Sequence, residues 1–452
     1  GTDIPLRKLD IRGNLNLTKD FYTSNLISTE YSIVIGGVWS QLGADLDGEA
    51  VNDYTGQSVA LSSDGSRLAV GAPLNDGNGS AAGHVRVFDW SGSAWTQVGA
   101  DIDGEAAGDR SGHSVALSSD GTRLAVGAPY NDGTGTYAGH VRVFDWSGSA
   151  WTQVGGDIDG EAAGDYSGTS VALSSDGTRL AVGAPYNDTP RANGTTASAA
   201  GHVRVFDWSG SAWTQVGADI DGEAVDDLSG YSVALSSDGT RLAMGAYNED
   251  GDAGTVRVFD WSGSAWTQVG ADLDGEAAVD RFGVSVALSS DGTRLAVGAN
   301  LNDGGFVFQR GHVRVFDWSG SAWTQVGADI DGEAADDRSG YSVALSSDGS
   351  RLAVGAYNND GTGSNAGHVR VFDWSGSAWT QVGADIDGEA ADDRSGYSVA
   401  LSSDGTRLAV GADLNDGGGS NAGHVRVFDN PRYTKQTIKD VIFEIGGSNV
   451  YV

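Results

Sequence analysis

Read as apolar against polar, the chain keeps returning to the same four short runs. Between residues 111 and 155 they are Ser114 to Leu117 (SVAL), Leu124 to Ala128 (LAVGA), His140 to Phe144 (HVRVF) and Trp151 to Gly155 (WTQVG). Short runs rich in Val, Phe and Trp, bounded by Gly, Asp, Asn and Ser, are strand signals. Ser118-Ser119-Asp120-Gly121 and Asp145-Trp146-Ser147-Gly148-Ser149 stand where hairpin turns are needed, so the strands are expected to form an antiparallel meander. No stretch of the repeats carries a helical period.

The pattern recurs. The motif W-[ST]-Q-[LV]-G begins at Trp39, Trp95, Trp151, Trp213, Trp266, Trp323 and Trp379, at spacings between 53 and 62 residues. Seven copies of a four-stranded unit predict an all-β fold, a seven-bladed β-propeller of four-stranded antiparallel blades over 39–430. The copies are staggered against the termini: the WSQLG at Trp39 has no VRVF before it, and the VRVF at Val425 has no WxQxG after it. Pairing these two would make Trp39 to Gly43 the outermost strand of the last blade and close the ring, leaving no exposed edge.

Residues 1–38 and 431–452 are flanks with short β-rich segments. All four Lys (Lys8, Lys19, Lys435, Lys439) lie in them and all 13 Trp lie outside them. Leu9 to Thr18 alternates about Gly13 and resembles the strand-turn segments of trimeric viral or phage fibres. Ile442 to Ile445 and Val450 to Val452 are apolar enough to pair with the N-terminal flank or with a neighbouring subunit.

Composition narrows the partners. Lys+Arg of 27 against Asp+Glu of 61 gives a net charge of −34, which repels nucleic acid and anionic membranes. There is no Cys, so disulfides and thiolate metal sites are excluded. No apolar run approaches the ~18 residues that cross a bilayer. A carboxylate-rich surface without Lys in the repeats suits salty, external surroundings.

The succession Ser111-Gly112, SVAL, LAVGAP and VRVF resembles FG-GAP repeats, the blades of integrin α-chain-like propellers. Phe-Gly is literal at Phe282-Gly283, and Gly-Ala-Pro at Gly71-Ala72-Pro73, Gly127-Ala128-Pro129 and Gly183-Ala184-Pro185. The resemblance implies a seven-bladed propeller like those of integrin α-chains and of many surface proteins. With the acidic, Lys-free repeats it goes with an expected place outside the cell, on a cell surface or on a virion or appendage, and with a protein or glycan ligand. FG-GAP blades of the integrin type often hold Ca²⁺ in an Asp-rich loop between their first two strands. Here that connection is only Ser-Ser-Asp-Gly-[ST]-Arg, so the family's metal ligands have no counterparts at those positions.

Acidic residues gather instead between the fourth strand of one unit and the first of the next. They are Asp45, Asp47, Glu49 and Asp53, then Asp101, Asp103, Glu105 and Asp109, then Asp157, Asp159, Glu161 and Asp165, then Asp219, Asp221, Glu223 and Asp227. The series continues with Asp272, Asp274, Glu276 and Asp280, with Asp329, Asp331, Glu333 and Asp337, and with Asp385, Asp387, Glu389 and Asp393. Oxygens at the first, third, fifth and ninth positions follow the register of a Ca²⁺ loop, although Gly104 and its equivalents occupy the fourth position and not the sixth. The alternative is a solvated turn in which Asp109 caps backbone N–H groups.

The connection between second and third strands varies most among the units, and in propellers it shares a face with the acidic linkers. Its least generic residues, Arg191, Phe306, Phe308 and Arg310, are the candidate ligand contacts there. Catalysis has little support. Six of the seven His repeat in G-H-V-R-V-F (His84, His140, His202, His312, His368, His424) and read as strand-packing elements, and no G-x-S-x-G, H-E-x-x-H or P-loop occurs. The sequence thus points to a non-enzymatic propeller for adhesion or ligand binding, stabilised by Ca²⁺. The alternatives are a structural subunit of a virion, fibre or appendage, joined to neighbouring subunits through its flanks, and a glycan-active hydrolase or lyase.

Overall fold

The computed structural model describes residues 31–34, 38–190, 196–303, 308–430, 435–438, 442–445 and 448–451. Its contacts divide the chain into two units, 36–432 and a smaller one made of 1–35 with 433–452. The larger unit contains seven antiparallel blade sheets and a two-stranded hairpin, Thr189–Pro190 with Thr196–Ala197, in a loop of blade 3. Blade 1 runs from the axis outward through Ser58–Leu61, Arg67–Ala72, His84–Trp90 and Trp95–Gln97. Blades 2 to 6 repeat it from the inner strands Ser114–Leu117, Ser170–Leu173, Ser232–Leu235, Phe282–Leu288 and Ser342–Leu345.

Blade 7 joins the two ends of the ring. Ser398–Leu401, Arg407–Ala412 and His424–Asp429 come from the C-terminal side and Ser40–Gln41 from the N-terminal side, with Ser40 opposite Asp429 and Gln41 opposite Phe428. Each inner strand touches the next, and Ser398–Leu401 touches Ser58–Leu61, so the ring closes as the stagger predicts.

Each blade carries one strand more than the sequence pattern discloses. Ile102–Asp103 folds back from the linker and pairs with His84 and Val85 at the start of the third strand, and the same two-residue segment recurs in every blade. Two residues are too few to show a period. Blade 4 adds a single helical turn, Glu249–Asp252.

The core lies between blades. Val85, Val87 and Ile102 of blade 1 meet Leu124, Val126 and Phe144 of blade 2, and each junction repeats this set. Second strands are covered on both faces, which is why LAVGA is apolar throughout and does not alternate. Its glycine is steric: a Cβ on Gly127 would sit 2.1 Å from the carbonyl oxygen of Gly168 in the next blade.

Polar side chains lock the junctions as well. Arg67 forks onto Asp89 through Nε at 2.6 Å and Nη2 at 2.7 Å, donates Nη1 to the Gly121 carbonyl of the next blade at 2.9 Å, and stacks on Trp146 and Trp151. The paired Trp therefore pack between blades. Trp95 Nε1 donates to the Leu42 carbonyl of the preceding blade, and Trp39 continues the series by donating to Val382 across the termini.

At the first hairpin turn, seven backbone hydrogen bonds form a closed cycle. Ser63 N donates to Ser119 O, then Ser119 to Ser175, Ser237, Ser290, Ser347 and Ser403 in turn, and Ser403 N donates back to Ser63 O, all at 2.8 to 2.9 Å. The second serine of each SSDG turn is thereby accounted for as a ring-closing element.

In the smaller unit, Tyr31–Val34 pairs antiparallel with Lys435–Ile438, and Ile442–Ile445 pairs with Ser448–Tyr451. The apolar segments expected to pair with the N-terminal flank or with a neighbouring subunit thus pair with each other, as the intervening Gly446-Gly447 dipeptide favours. Leu9 to Thr18 lies outside the described residues.

Candidate functional site

One face of the ring is built from the acidic linkers and the variable loops together. Backbone bonds from Gly108, Arg110 and Ser111 reach Ser80, Ala81 and Ala82, laying each linker along the second-to-third-strand loop of the blade it leaves. Parallel bridges such as Gly83 to Ser111 and Gly139 to Ser167 mark the seam. Gly104 is dictated here, because a Cβ would lie 2.0 Å from the Ala82 carbonyl oxygen. The glycine at the fourth linker position serves this approach.

At the axial end of the seam the near-identical blades differ. The residue just before the SVAL run is Gln57, His113, Thr169, Tyr231, Val284, Tyr341 or Tyr397. Three positions earlier stand Tyr54, Arg110, Tyr166, Leu228, Arg281, Arg338 and Arg394, all held at φ between 53° and 58°. That left-handed conformation costs a non-glycine residue about 1 kcal/mol. Tyr341 and Tyr397 join hydroxyl to hydroxyl at 2.8 Å, and burial together with the charge of Tyr397 of blade 7 raises the phenol of Tyr231 of blade 4. Desolvation raises the phenol of Tyr341, and that of Tyr397 to about 12.

Cations stack on the tyrosines of the adjoining loops. Arg110 stacks on Tyr130 at 4.1 Å, Arg281 faces Tyr247 at 5.3 Å, and Arg338 lies over Tyr357 while donating Nη1 to its hydroxyl. Beside them Asp413 stands where three units have proline. It is 2% exposed with Oδ1 unpartnered, and desolvation raises its pKa to about 7 against the opposing pull of Arg394. A buried, perturbed carboxyl beside Tyr and Arg in a molecule of charge −34 marks a candidate site. The sequence reading passed over these residues; only an aligned comparison of the seven units, position by position, singles them out.

The predicted metal residues separate by role. The ninth-position Asp residues Asp53, Asp109, Asp165, Asp227, Asp280, Asp337 and Asp393 are buried caps: Asp109 Oδ2 accepts from Ala106 N at 2.9 Å and Asn131 Nδ2 at 3.1 Å. First-position Asp101 accepts from Gln97 Nε2 at 2.6 Å, as its equivalents do from theirs. Third-position Asp103 ends the fifth strand, and its carbonyl receives Arg142 Nη2. Fifth-position Glu105 faces Arg142 at 3.7 Å in the following blade.

What converges is drawn from two linkers and a strand. Glu49, His84 and Asp101 place one donor atom each within 4.8 Å of one another, as do Glu105, His140 and Asp157, Glu161, His202 and Asp219, Glu276, His312 and Asp329, and Asp45, Glu389 and His424. Blade 4 departs, with Thr255 in place of His. There Arg257 meets Glu223 at 3.1 Å and Glu249 at 3.8 Å, and burial lifts Glu249 to about 7. A cleft of about 320 Å³ opens at this junction between Asp219, Glu223, Arg257, Phe259 and Trp266.

Of the four loop residues expected to contact ligand, Arg191 and Phe306 lie outside the described residues. Phe308 is 62% exposed, whereas Arg310 is tied to Asp331 Oδ2 at 2.7 Å and so is partly engaged within the fold.

The turn that would carry the integrin-type calcium loop does not fit a metal. Its one carboxylate, Asp64, spends Oδ1 on Ser62 Oγ, Ser66 N and Ser66 Oγ. No curated protein matches the sequence. The model of the FG-GAP repeat matches residues 39–88, 101–144, 158–206, 328–372 and 384–428, more than half of the chain. The stretch between 206 and 328 escapes the match although it holds the literal Phe282-Gly283, and it folds into the same strands as the rest. With seven closed blades and five matched segments, the chain belongs to the FG-GAP repeat family.

Proposed function

We propose that this protein is a non-enzymatic binding and display propeller that works outside the cell or on a particle surface, and that it takes a protein or glycan ligand at the axial mouth framed by Arg110, Arg281, Arg338, Arg394, Tyr231, Tyr341 and Tyr397. FG-GAP propellers are generally non-catalytic and typical of extracellular or surface proteins, which supports the class. The observation that carries the site is its asymmetry. Repeats otherwise close to identical place Tyr and Arg, the residues that dominate binding hot spots, at the positions where they differ.

A glycan and surface-protein array, followed by a turnover assay on each hit, tests the reading. Binding without turnover is expected. Turnover would move the protein to the glycan-active hydrolases or lyases, and the absence of any hit would leave a structural subunit of a virion, fibre or appendage.

A further inference from the structure

The imidazoles of the G-H-V-R-V-F strands are buried yet unspent. His140, His202, His312 and His368 are 1% exposed, and their Nε2 atoms have no hydrogen-bond partner. The other nitrogen faces a carboxylate without bonding it: His140 Nδ1 lies 3.9 Å from Glu105, His202 Nδ1 4.0 Å from Glu161, and His424 Nδ1 3.9 Å from Glu389. Burial, reinforced by the neighbouring Arg, lowers each of these pKa values, to about 4 for His202 and His424, so the rings are neutral at pH 7 and keep a lone pair for a cation.

The arginine beside each cluster does not occupy that place. Arg142 is anchored by the Asp103 carbonyl and by stacking on Phe144, and its 3.7 Å approach to Glu105 exceeds a hydrogen bond. Blade 4 is the internal contrast. Where Thr255 replaces His, the ion pair tightens to 3.1 Å and Thr255 Oγ1 donates to Asp274 at 3.2 Å.

We propose that each His-bearing junction binds one divalent transition-metal cation of the Zn²⁺ class, held by one imidazole nitrogen and two carboxylates from consecutive linkers. The donor set selects the ion: imidazole suits zinc and its neighbours, whereas Ca²⁺ wants six or more oxygens and Mg²⁺ an octahedron of them. Bonds of ~2.1 Å would bring the donors to roughly 3.4 Å of one another. Glu105, 44% exposed at its side chain, has the freedom to swing in. Among the described residues the cluster count is six, with Glu333 and Asp385 acting on His368 as their equivalents do on the other imidazoles, and blade 4 is the junction without one. Each ion clamps a blade to the linker before it.

The test is equilibrium dialysis of metal-stripped protein against Zn²⁺ with elemental analysis, alongside melting curves in Zn²⁺, Ca²⁺ and Mg²⁺ at matched ionic strength. About six Zn²⁺ per chain and a melting shift larger for Zn²⁺ than for the other ions are expected. Replacing all six residues (His84, His140, His202, His312, His368 and His424) by Gln should abolish the binding. Should that variant fail to fold, His140→Gln alone is expected to lose one ion and Thr255→His to gain one. No stoichiometric zinc, zinc retained undiminished without the imidazoles, or equal shifts for Zn²⁺ and Ca²⁺ would overturn the proposal.

Discussion

Asp413 shows how much one position can depart from its six equivalents. Its carboxyl is buried beside Arg394 and Tyr397 with a pKa raised to about 7, against an ordinary value of 3.8. A raised carboxyl stabilises the fold when protonated, so its contribution is complete below pH 3.8 and is lost as pH rises through 7. Asp413→Asn should therefore leave stability near that of the parent at pH 4 and exceed it by a few kcal/mol at pH 9, by the usual ~1.4 kcal/mol per pKa unit. Equal differences at both pH values in urea unfolding would show that the carboxyl is not desolvated. Neither this role nor those of the Arg and Tyr around it were legible in one repeat. Their meaning lies in contacts between blades, such as the hydroxyl bond that joins Tyr341 to Tyr397.

At the scale of the strand, legibility follows periodicity. SVAL, LAVGA, VRVF and WTQ are long enough to show a pattern and recur where the runs predict them, down to the orphan strand at Trp39. Ile102–Asp103 and Glu249–Asp252 are too short to leave one. In the linkers, spacing identified oxygens in a calcium register but not their partners. A ninth-position Asp that caps Ala106 N looks in sequence the same as one that faces a metal.

The orphan strand is also the clasp of the ring. Trp39 is 8% exposed, donates to Val382, and lies under the Arg351 guanidinium. Trp39→Ala should cost about 3–5 kcal/mol. Removing residues 39–43 should lower the melting temperature more, because it uncovers the edge strand His424–Asp429. A deletion that melts with the parent would refute closure through this strand.

Across the whole molecule, repetition multiplies small electrostatic terms. Burial holds His113, His202, His312 and His424 at about 4 and lowers the remaining three, while the unfolded value is 6.5. The native state then binds fewer protons than the unfolded chain between pH 6.5 and 4. This stability is complete above 6.5 and lost as pH falls towards 4. Four such shifts amount to about 14 kcal/mol, comparable with the ~5–15 kcal/mol of a whole domain, and the raised Asp413 and Glu249 offset part of it. In chelator, urea unfolding followed by tryptophan fluorescence should show the ring markedly less stable at pH 4 than at pH 7. A ring as resistant to urea at pH 4 as at pH 7 would contradict it.

The same repetition makes the axial mouth the informative region of the molecule, since its side chains change from blade to blade: Arg stands at the outer position in four of the seven and Tyr at the inner one in three. The most direct test of the account is to run the ligand array with the parent and with Arg338→Ala/Arg394→Ala in parallel. The pair is partly solvent-exposed on one face of the ring, so folding and melting should stay close to the parent. The account predicts that ligands captured by the parent are lost or weakened at least tenfold, about 1.4 kcal/mol, in the double variant. Undiminished capture by a folded double variant would place recognition elsewhere on the ring.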